Sequence, residues 1–481
     1  MSLKLGGEGI FIEQVNQQTQ KDLYKADMIA TPVSIVVLIL VFGSVVAALV
    51  PLCLGGGCAL IILTSLYFLG QFFNLSIFTL NIALLLGLCL SLDYALFIIS
   101  RFRSELKKHP IHIAIAITEA TAGRAVFFSG LAVFISLSAL LLFPINILFS
   151  IGVGGLVAVF IAVSIALFLL PAVLSVLNQG INCLSIQTSS VKKSRWRQLG
   201  KKVLAYPVSF FAITLTLLVL LGMPFLNAKF GLSDYHILPE RAESRSFFDA
   251  YHQAFNDNTL NPIQLILTTP EQSMPTQAVQ RFIKRLKENP RISDIQEGIE
   301  RPFKQGQKTT FTVINIISQY PANAPQTKAL IQELREMNPG SKLHLELTGT
   351  PVKNDEVLAT IQHIFPYAML WIMGLTYLIL LFLLRSLFLP LKAIAMNILS
   401  LSASYGVLVF IFQEGHLHEL LNFDPQGLLD ISLLIIIFCA LFGFSMVYLR
   451  RYTINVESRK QSASSVLGFW VPKEPQGSFR F

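Results

Sequence analysis

Charge is scarce in this chain: only 14% of its 481 residues are Asp, Glu, Lys or Arg, while 53% are hydrophobic. An average soluble domain carries roughly 25% charged residues. That shortage excludes an ordinary soluble globule and makes the bilayer the solvent for most of the chain. A glycine-rich phosphate loop is missing, as is any pairing of a nucleophile with a base, so neither ATP hydrolysis nor another enzymatic activity is predicted. Cysteine is sparse too. The five cysteines (Cys53, Cys58, Cys89, Cys183, Cys439) lie in or beside apolar runs, and no disulfide framework or metal-site spacing is visible. The first 27 residues contain no apolar core of the kind a signal peptide needs. The net charge of +9 is gathered in short basic clusters beside apolar runs, which is the pattern of membrane topology and not of a nucleic-acid-binding face.

What the chain has in abundance is long apolar runs. They fall near residues 29–50, 52–73, 77–100, 125–143, 147–177, 206–226, 364–384, 390–412 and 428–449, predicting nine spans. The first two are divided only by "VPLCLGGG", where Pro51 and the glycines predict a tight turn. Arg101, Arg103, Lys107 and Lys108 follow the third run, and Lys192, Lys193, Arg195, Arg197, Lys201 and Lys202 separate the fifth from the sixth. Both clusters are expected on the cytoplasmic side. The connections "FPIN" and "QEGHLHELLNFDPQG", and the long polar stretch from Asn227 to about Gln362, then face outward, as does the N-terminus.

The polar stretch has its own periodicity. "IQLILTT", "RISDIQ", "FTVINIIS" and "LHLELTG" alternate as strands, whereas "TQAVQRFIKRLKENP" and "PQTKALIQELREMNP" repeat their apolar residues at helical spacing. The order βαββαβ predicts a ferredoxin-like α+β domain. A weak internal repeat is also present: "LILVFGSVVAALVPL" (38–52) returns as "LILLFLLRSLFLPL" (378–391), each preceded by a glycine-bearing polar stretch and followed by two more spans. Transporters built of two similar halves show such repeats.

Within the third run, "SLDYALFIISRFRSEL" places Asp93 several residues inside the apolar segment. Burying an ionised carboxylate there costs about 2.5–3.5 kcal/mol on insertion scales, so such groups mark ion or proton paths. The residues at helical spacing from it (Cys89, Leu90, Leu96, Phe97) offer no partner, and Arg101 lies about 12 Å further along a straight helix, too far for direct pairing. A partner must come from another span or from Tyr94. Arg101 and Arg103 are expected to anchor the helix end and fix topology. His112, in "IHIAIAITEATAGRAV", reads as an interfacial side chain on an amphipathic lead-in. Glu414, His416, His418, Glu419 and Asp424 read as a solvated turn, Asp430 as an interface position, and Gly152, Gly154 and Gly155 as packing glycines.

"DYALFIISRFRSEL" resembles the hallmark of the MMPL branch of the resistance-nodulation-division exporters. "LVFGSVVAALVPL" and "KFGLSDYHILPERAESRSFFDAY" resemble the same family, and the similarity runs from about residue 5 to residue 446. The resemblance implies a polytopic α-helical membrane protein, an RND-type helix bundle with an extracytoplasmic α+β ferredoxin-like porter domain, sited as a multi-pass protein in the bacterial inner membrane. It implies export of hydrophobic or amphipathic molecules, lipids or drugs, driven by the proton gradient with no other cofactor, and it makes Asp93 and Tyr94 a proton relay. Oligomeric state varies among members, and a homo-oligomer stays open. One departure is Cys89, where members often have glycine. A second is Val447, which aligns with the second relay aspartate of the family, although Tyr448 is retained.

With family members as the guide, residues 1–27 read as a remnant of a first porter domain, 28–180 as a first half-bundle of five spans and 181–205 as a basic cytoplasmic loop. Residues 206–226 are a further span, 227–362 the porter domain, 363–449 an incomplete second half-bundle of three spans, and 450–481 a polar tail. The loss of likeness after Met446 predicts a frameshift and a chain truncated at both ends. Two other readings remain open: a half-transporter completed by another chain, and a non-transporting lipid or sterol sensor.

Overall fold

The structure, a computed structural model, describes residues 6–183, 191–232, 235–239, 241–254, 257–269, 275–297, 301–302, 310–340, 343–384, 386–421, 423–425 and 427–444. In chain order the elements are α1 (Glu8–Phe42), α2 (Val45–Leu69), α3 (Ile77–Leu106), α4 (Ile111–Leu142), α5 (Asn146–Asn182), α6 (Val191–Ala205) and α7 (Pro207–Asn227). There follow β1 (Phe230–Gly231), α8 (Glu243–Ala254), β2 (Ile263–Thr269), α9 (Thr276–Lys287), β3 (Ile292–Glu297), β4 (Arg301–Pro302), β5 (Thr310–Ser318), α10 (Pro325–Glu336) and β6 (His344–Thr348). The chain continues through α11 (Thr350–Leu384), α12 (Phe388–Gln413), α13 (His418–Leu421), β7 (Leu429–Asp430) and α14 (Ile431–Phe444). Eight of the described helices are long and apolar enough to cross a membrane, and Ile431–Gly443 is a shorter apolar helix. The chain is therefore a polytopic helical membrane protein.

Two compact units emerge, one from residues up to 26, 227–366 and 408–433, the other from 27–226, 367–407 and the described residues from 434 onward. In the first unit a sheet forms in the order β3-β5-β2-β6, wholly antiparallel, with β4 also paired to β5. The strands and helices run βαββαβ, with the two strands of each split unit separated by a strand of the other. Alternation explains the sheet: Ile263, Leu265 and Leu267 of β2 and Ile316 of β5 are fully buried, beneath Phe282 and Leu286 of α9 and Leu330, Ile331 and Leu334 of α10. Gly349 ends β6 at φ 103°, with a Cβ position that would strike the Pro262 carbonyl oxygen, so only glycine fits. In the same unit the start of α1 packs on α8. Gln14 Oε1 accepts from the Ser244 amide at 2.9 Å, and Phe11 meets Phe248 edge-on at 6.4 Å.

The second unit is the helical bundle. Packing along α3 are α2 and α5, and α5 also lies on α4. Small residues allow the close approach. A Cβ at Gly152 would come within 2.9 Å of Leu140 Cβ, one at Gly155 within 3.1 Å of Leu137 Cδ1, and one at Gly154 would strike Thr79. The break between the first two spans is at Gly43–Ser44 and not at the predicted "VPLCLGGG" turn: Pro51 and Gly55–Gly57 lie inside α2. Gly43 takes φ 60°, which stops α1, and Ser44 is extended at φ −153° and caps α2. Proline within a span is tolerated because neighbouring groups re-satisfy the freed backbone. Of these glycines Gly55 faces α3, where a Cβ would make ordinary contact with Leu88 at 3.5 Å, and Gly56 and Gly57 face open space. The internal repeat has a structural counterpart. Both α1 and α11 are continuous 35-residue helices that pass from polar into apolar sequence, each followed closely by another apolar helix.

Candidate functional site

Asp93 and Tyr94 sit in the middle of α3, and helical geometry turns them to different faces. Tyr94 is only 2% exposed and Ser91, one turn before it, is equally buried. Asp93 is exposed, on a stripe shared with Cys89 that the described residues leave uncovered. The sequence reading sought a partner for Asp93, and Arg101 is not it. Arg101 Nη2 lies 3.1 Å from Glu105 Oε1 instead. The Tyr94 hydroxyl is directed toward Ser129 of α4. The Ser91, Tyr94 and Ser129 hydroxyls are nevertheless all buried without a satisfied hydrogen bond among the described residues. Unsatisfied buried polar atoms are few in native proteins and call for an explanation, such as water or a transferable proton.

Of the two arginines that follow Asp93 and Tyr94, Arg103 holds the end of α3 to its neighbours, while Arg101 pairs within the helix with Glu105. Arg103 donates from Nη1 to the Phe42 carbonyl at 2.6 Å and from Nε to Asn182 Oδ1 at 2.8 Å. It thereby ties the last turn of α3 to the ends of α1 and α5. Beside it the Ser44 hydroxyl faces the Ile181 and Cys183 carbonyls, each at 2.9 Å, and accepts from the Ala47 amide. Helix ends that would otherwise leave carbonyls unpaired are thus closed.

The C-terminal part of the bundle approaches the same region. Ser136 Oγ of α4 donates to the Cys439 carbonyl of α14, and a Cβ at Gly443 would lie 2.9 Å from Val133 Cα. Moving toward the C-terminus of α14 therefore means moving from Ser136 toward Ser129, an antiparallel crossing. Tyr405 of α12 braces the start of α14 by donating to the Leu434 carbonyl at 2.9 Å. Val447 and Tyr448, the predicted counterparts of the relay pair, lie outside the described residues, as does the polar tail.

The remaining candidates resolve plainly. His112 is exposed. No group of His, Cys, Asp or Glu able to hold a metal ion occurs among the described residues. His416 stacks on Phe410 at 3.9 Å, Asp424 lies 3.4 Å from Arg245, and the Asp430 carboxylate accepts from the Ser432 amide at 2.8 Å to cap α14. Ser91, Ser129 and Glu119 are not among the candidates predicted from the sequence. Hydroxyls in apolar runs carry no distinctive pattern, whereas the lone acid of "IHIAIAITEATAGRAV" was a usable signal absorbed into the amphipathic lead-in.

A bundle of helices long and apolar enough to span, in one chain with an α+β unit, is the build of a multi-pass membrane protein. The chain belongs to the MMPL family, whose profile matches residues 1–210 and 236–434. It is 26% identical over 478 residues to the probable trehalose monomycolate exporter MmpL3 of Mycobacterium leprae, covering 91% of this chain and 49% of that protein. To the mycolic acid-containing lipids exporter MmpL11 of Mycolicibacterium smegmatis it is 28% identical over 457 residues, covering 92% and 47%. To the membrane protein YdfJ of Bacillus subtilis it is 26% identical over 433 residues, covering 88% and 58%. The chain thus spans about half the length of the curated relatives it matches.

Proposed function

We propose that this chain serves proton-driven export of a lipid or other hydrophobic, amphipathic molecule across a bacterial inner membrane. Its relatives include proteins named as exporters of trehalose monomycolate and of mycolic acid-containing lipids. The observation that carries the reading is the Asp93–Tyr94 pair on α3. A carboxyl lies in the middle of a spanning helix, and the next residue is a buried tyrosine, on another face, whose hydroxyl is turned toward Ser129 without a satisfied hydrogen bond. An ionisable residue at membrane depth is costly and marks an ion or proton path. Asp93 takes up and releases the proton, Tyr94 and Ser129 offer hydroxyls to pass it, and the change of charge on α3 alters how that helix packs against α2 and α5. The α+β unit acts as an extracytoplasmic porter domain. Arg101 and Arg103 hold the cytoplasmic end of α3 throughout.

The test is transfer of a fluorescent trehalose monomycolate analogue between the leaflets of proteoliposomes holding the full chain, with and without an imposed proton gradient. Transfer that follows the gradient and is lost in Asp93→Asn supports the reading. Binding of the analogue with no gradient-dependent transfer would instead indicate a lipid sensor.

A further inference from the structure

A second carboxyl in the bundle has no role in the relay as described. Glu119 lies within the span Ile111–Leu142, at the first residue of a π-helical turn, Glu119–Gly123. Turns of this kind are rare and recur at functional sites, because the extra residue redirects side chains at a cost in backbone hydrogen bonding. Its Oε1 is buried with no hydrogen-bond partner among the described residues. Space for the carboxylate comes from Gly123: any Cβ there would strike Glu119 Oε2. The turn packs against α3, which carries Asp93, and against a second π-helical turn in α5, Ile165–Leu169.

Charge near Glu119 is limited. On α3 the titratable or charged side chains are Cys89, Asp93, Tyr94, Arg101, Arg103 and Glu105; on its own helix they are His112 and Arg124; α5 has none. Arg101 is engaged with Glu105, Arg103 with the Phe42 carbonyl and Asn182, and Arg124 stands 5.9 Å over the Phe128 ring. The carboxylate thus keeps one buried oxygen without a hydrogen bond, and it makes no ion pair among the described residues. A group in that position holds its charge at a cost and is relieved by taking a proton.

We propose that Glu119 is a proton-exchanging carboxyl of this bundle, placed between Asp93 and the connection at residues 107–110. This deepens the relay reading and rests on it. In the step, the neutral Asp93 carboxyl gives up its proton and becomes a carboxylate. The Glu119 carboxylate, about 15 Å along the helix from Ser129, receives that proton through intervening water and becomes neutral. It then releases the proton to solvent at the 107–110 side and is ionised again. Gly123 leaves room for the carboxyl to turn between these two directions.

The experiment uses the full chain in lipid nanodiscs and proteoliposomes, with the proton itself as probe. Infrared difference spectra between acid and alkaline buffer report each titrating carboxyl through its carbonyl stretch, and an internal pH dye reports proton uptake under an imposed gradient. The expected result is that Glu119→Gln removes one carboxyl band, distinct from the band removed by Asp93→Asn, and slows uptake about a hundredfold, as loss of a positioned proton-transfer group does. Glu119→Asp, which keeps a carboxyl, retains a band and most of the uptake. The proposal is overturned if Glu119→Gln leaves both the spectrum and the uptake rate unchanged, whatever Asp93→Asn does. If Asp93→Asn leaves uptake intact while Glu119→Gln abolishes it, the Asp93 relay fails and the role of Glu119 stands.

Discussion

Ser44→Ala tests whether the start of α2 and the end of α5 are joined as described. Ser44 is fully buried, its hydroxyl lies 2.9 Å from both the Ile181 and Cys183 carbonyls, and its oxygen accepts from the Ala47 amide at 3.4 Å. Alanine removes the cap, worth about 1 kcal/mol. It also removes a donor that can serve one carbonyl at a time, worth about 0.6 kcal/mol for an average hydrogen bond in a membrane protein. The long 3.4 Å capping contact argues for the lower end, and full burial, which keeps water from replacing the hydroxyl, argues for the higher. A loss of about 1.5–2 kcal/mol follows, a shift of roughly ten- to thirtyfold in the unfolding equilibrium. The assay is equilibrium unfolding of the purified chain in mixed micelles of increasing denaturing detergent, followed by tryptophan fluorescence. Ser44→Thr keeps the hydroxyl and should recover most of the stability. If alanine costs nothing, or threonine costs as much as alanine, Ser44 does not hold these helix ends and the reasoning is wrong.

In the α+β unit, Leu265→Ala deletes a side chain with no exposed surface from the core that holds Phe282 and Leu330 and should cost about 2–5 kcal/mol, read as the loss of slow hydrogen exchange across β2 and β5. Arg245→Met removes a guanidinium only 8% exposed that lies 3.1 Å from Asp249 and 3.4 Å from Asp424 and stands over the Tyr235 ring. Removing one partner leaves the carboxylates uncompensated, at about 3 kcal/mol or more where the pair is buried; both acids are partly exposed, so about 1–2 kcal/mol is expected. Hydrogen exchange of residues 413–425 should quicken in that variant. An unchanged rate would mean the ion pair does not hold this loop.

Much of the fold was legible because two periodicities rarely mislead. Runs of about twenty apolar residues must span, and the alternation of "IQLILTT" with helical spacing in "TQAVQRFIKRLK" set the order of the α+β unit, where the structure has β2 and α9. Punctuation was less legible. Pro51 looks like a turn because proline breaks soluble helices, yet within a span its missing hydrogen bond is made good by neighbours, while the modest pair Gly43 and Ser44 does the turning. Asp93 stood out because a charge among hydrocarbon is conspicuous. The hydroxyls of Ser91 and Ser129 did not, since their part depends on which helices meet, and no period in the sequence encodes that. In the sequence Glu119 reads as part of an amphipathic face; that it opens a π-helical turn with one carboxylate oxygen buried is visible only in the structure.

The most direct test of the central claim is movement of a fluorescent trehalose monomycolate analogue in proteoliposomes, compared between the native chain and Asp93→Asn at equal insertion. Transfer is expected to rise with the imposed proton gradient and to disappear in the variant, with binding of the analogue preserved. Equal, gradient-dependent transfer by the Asp93→Asn chain would contradict it.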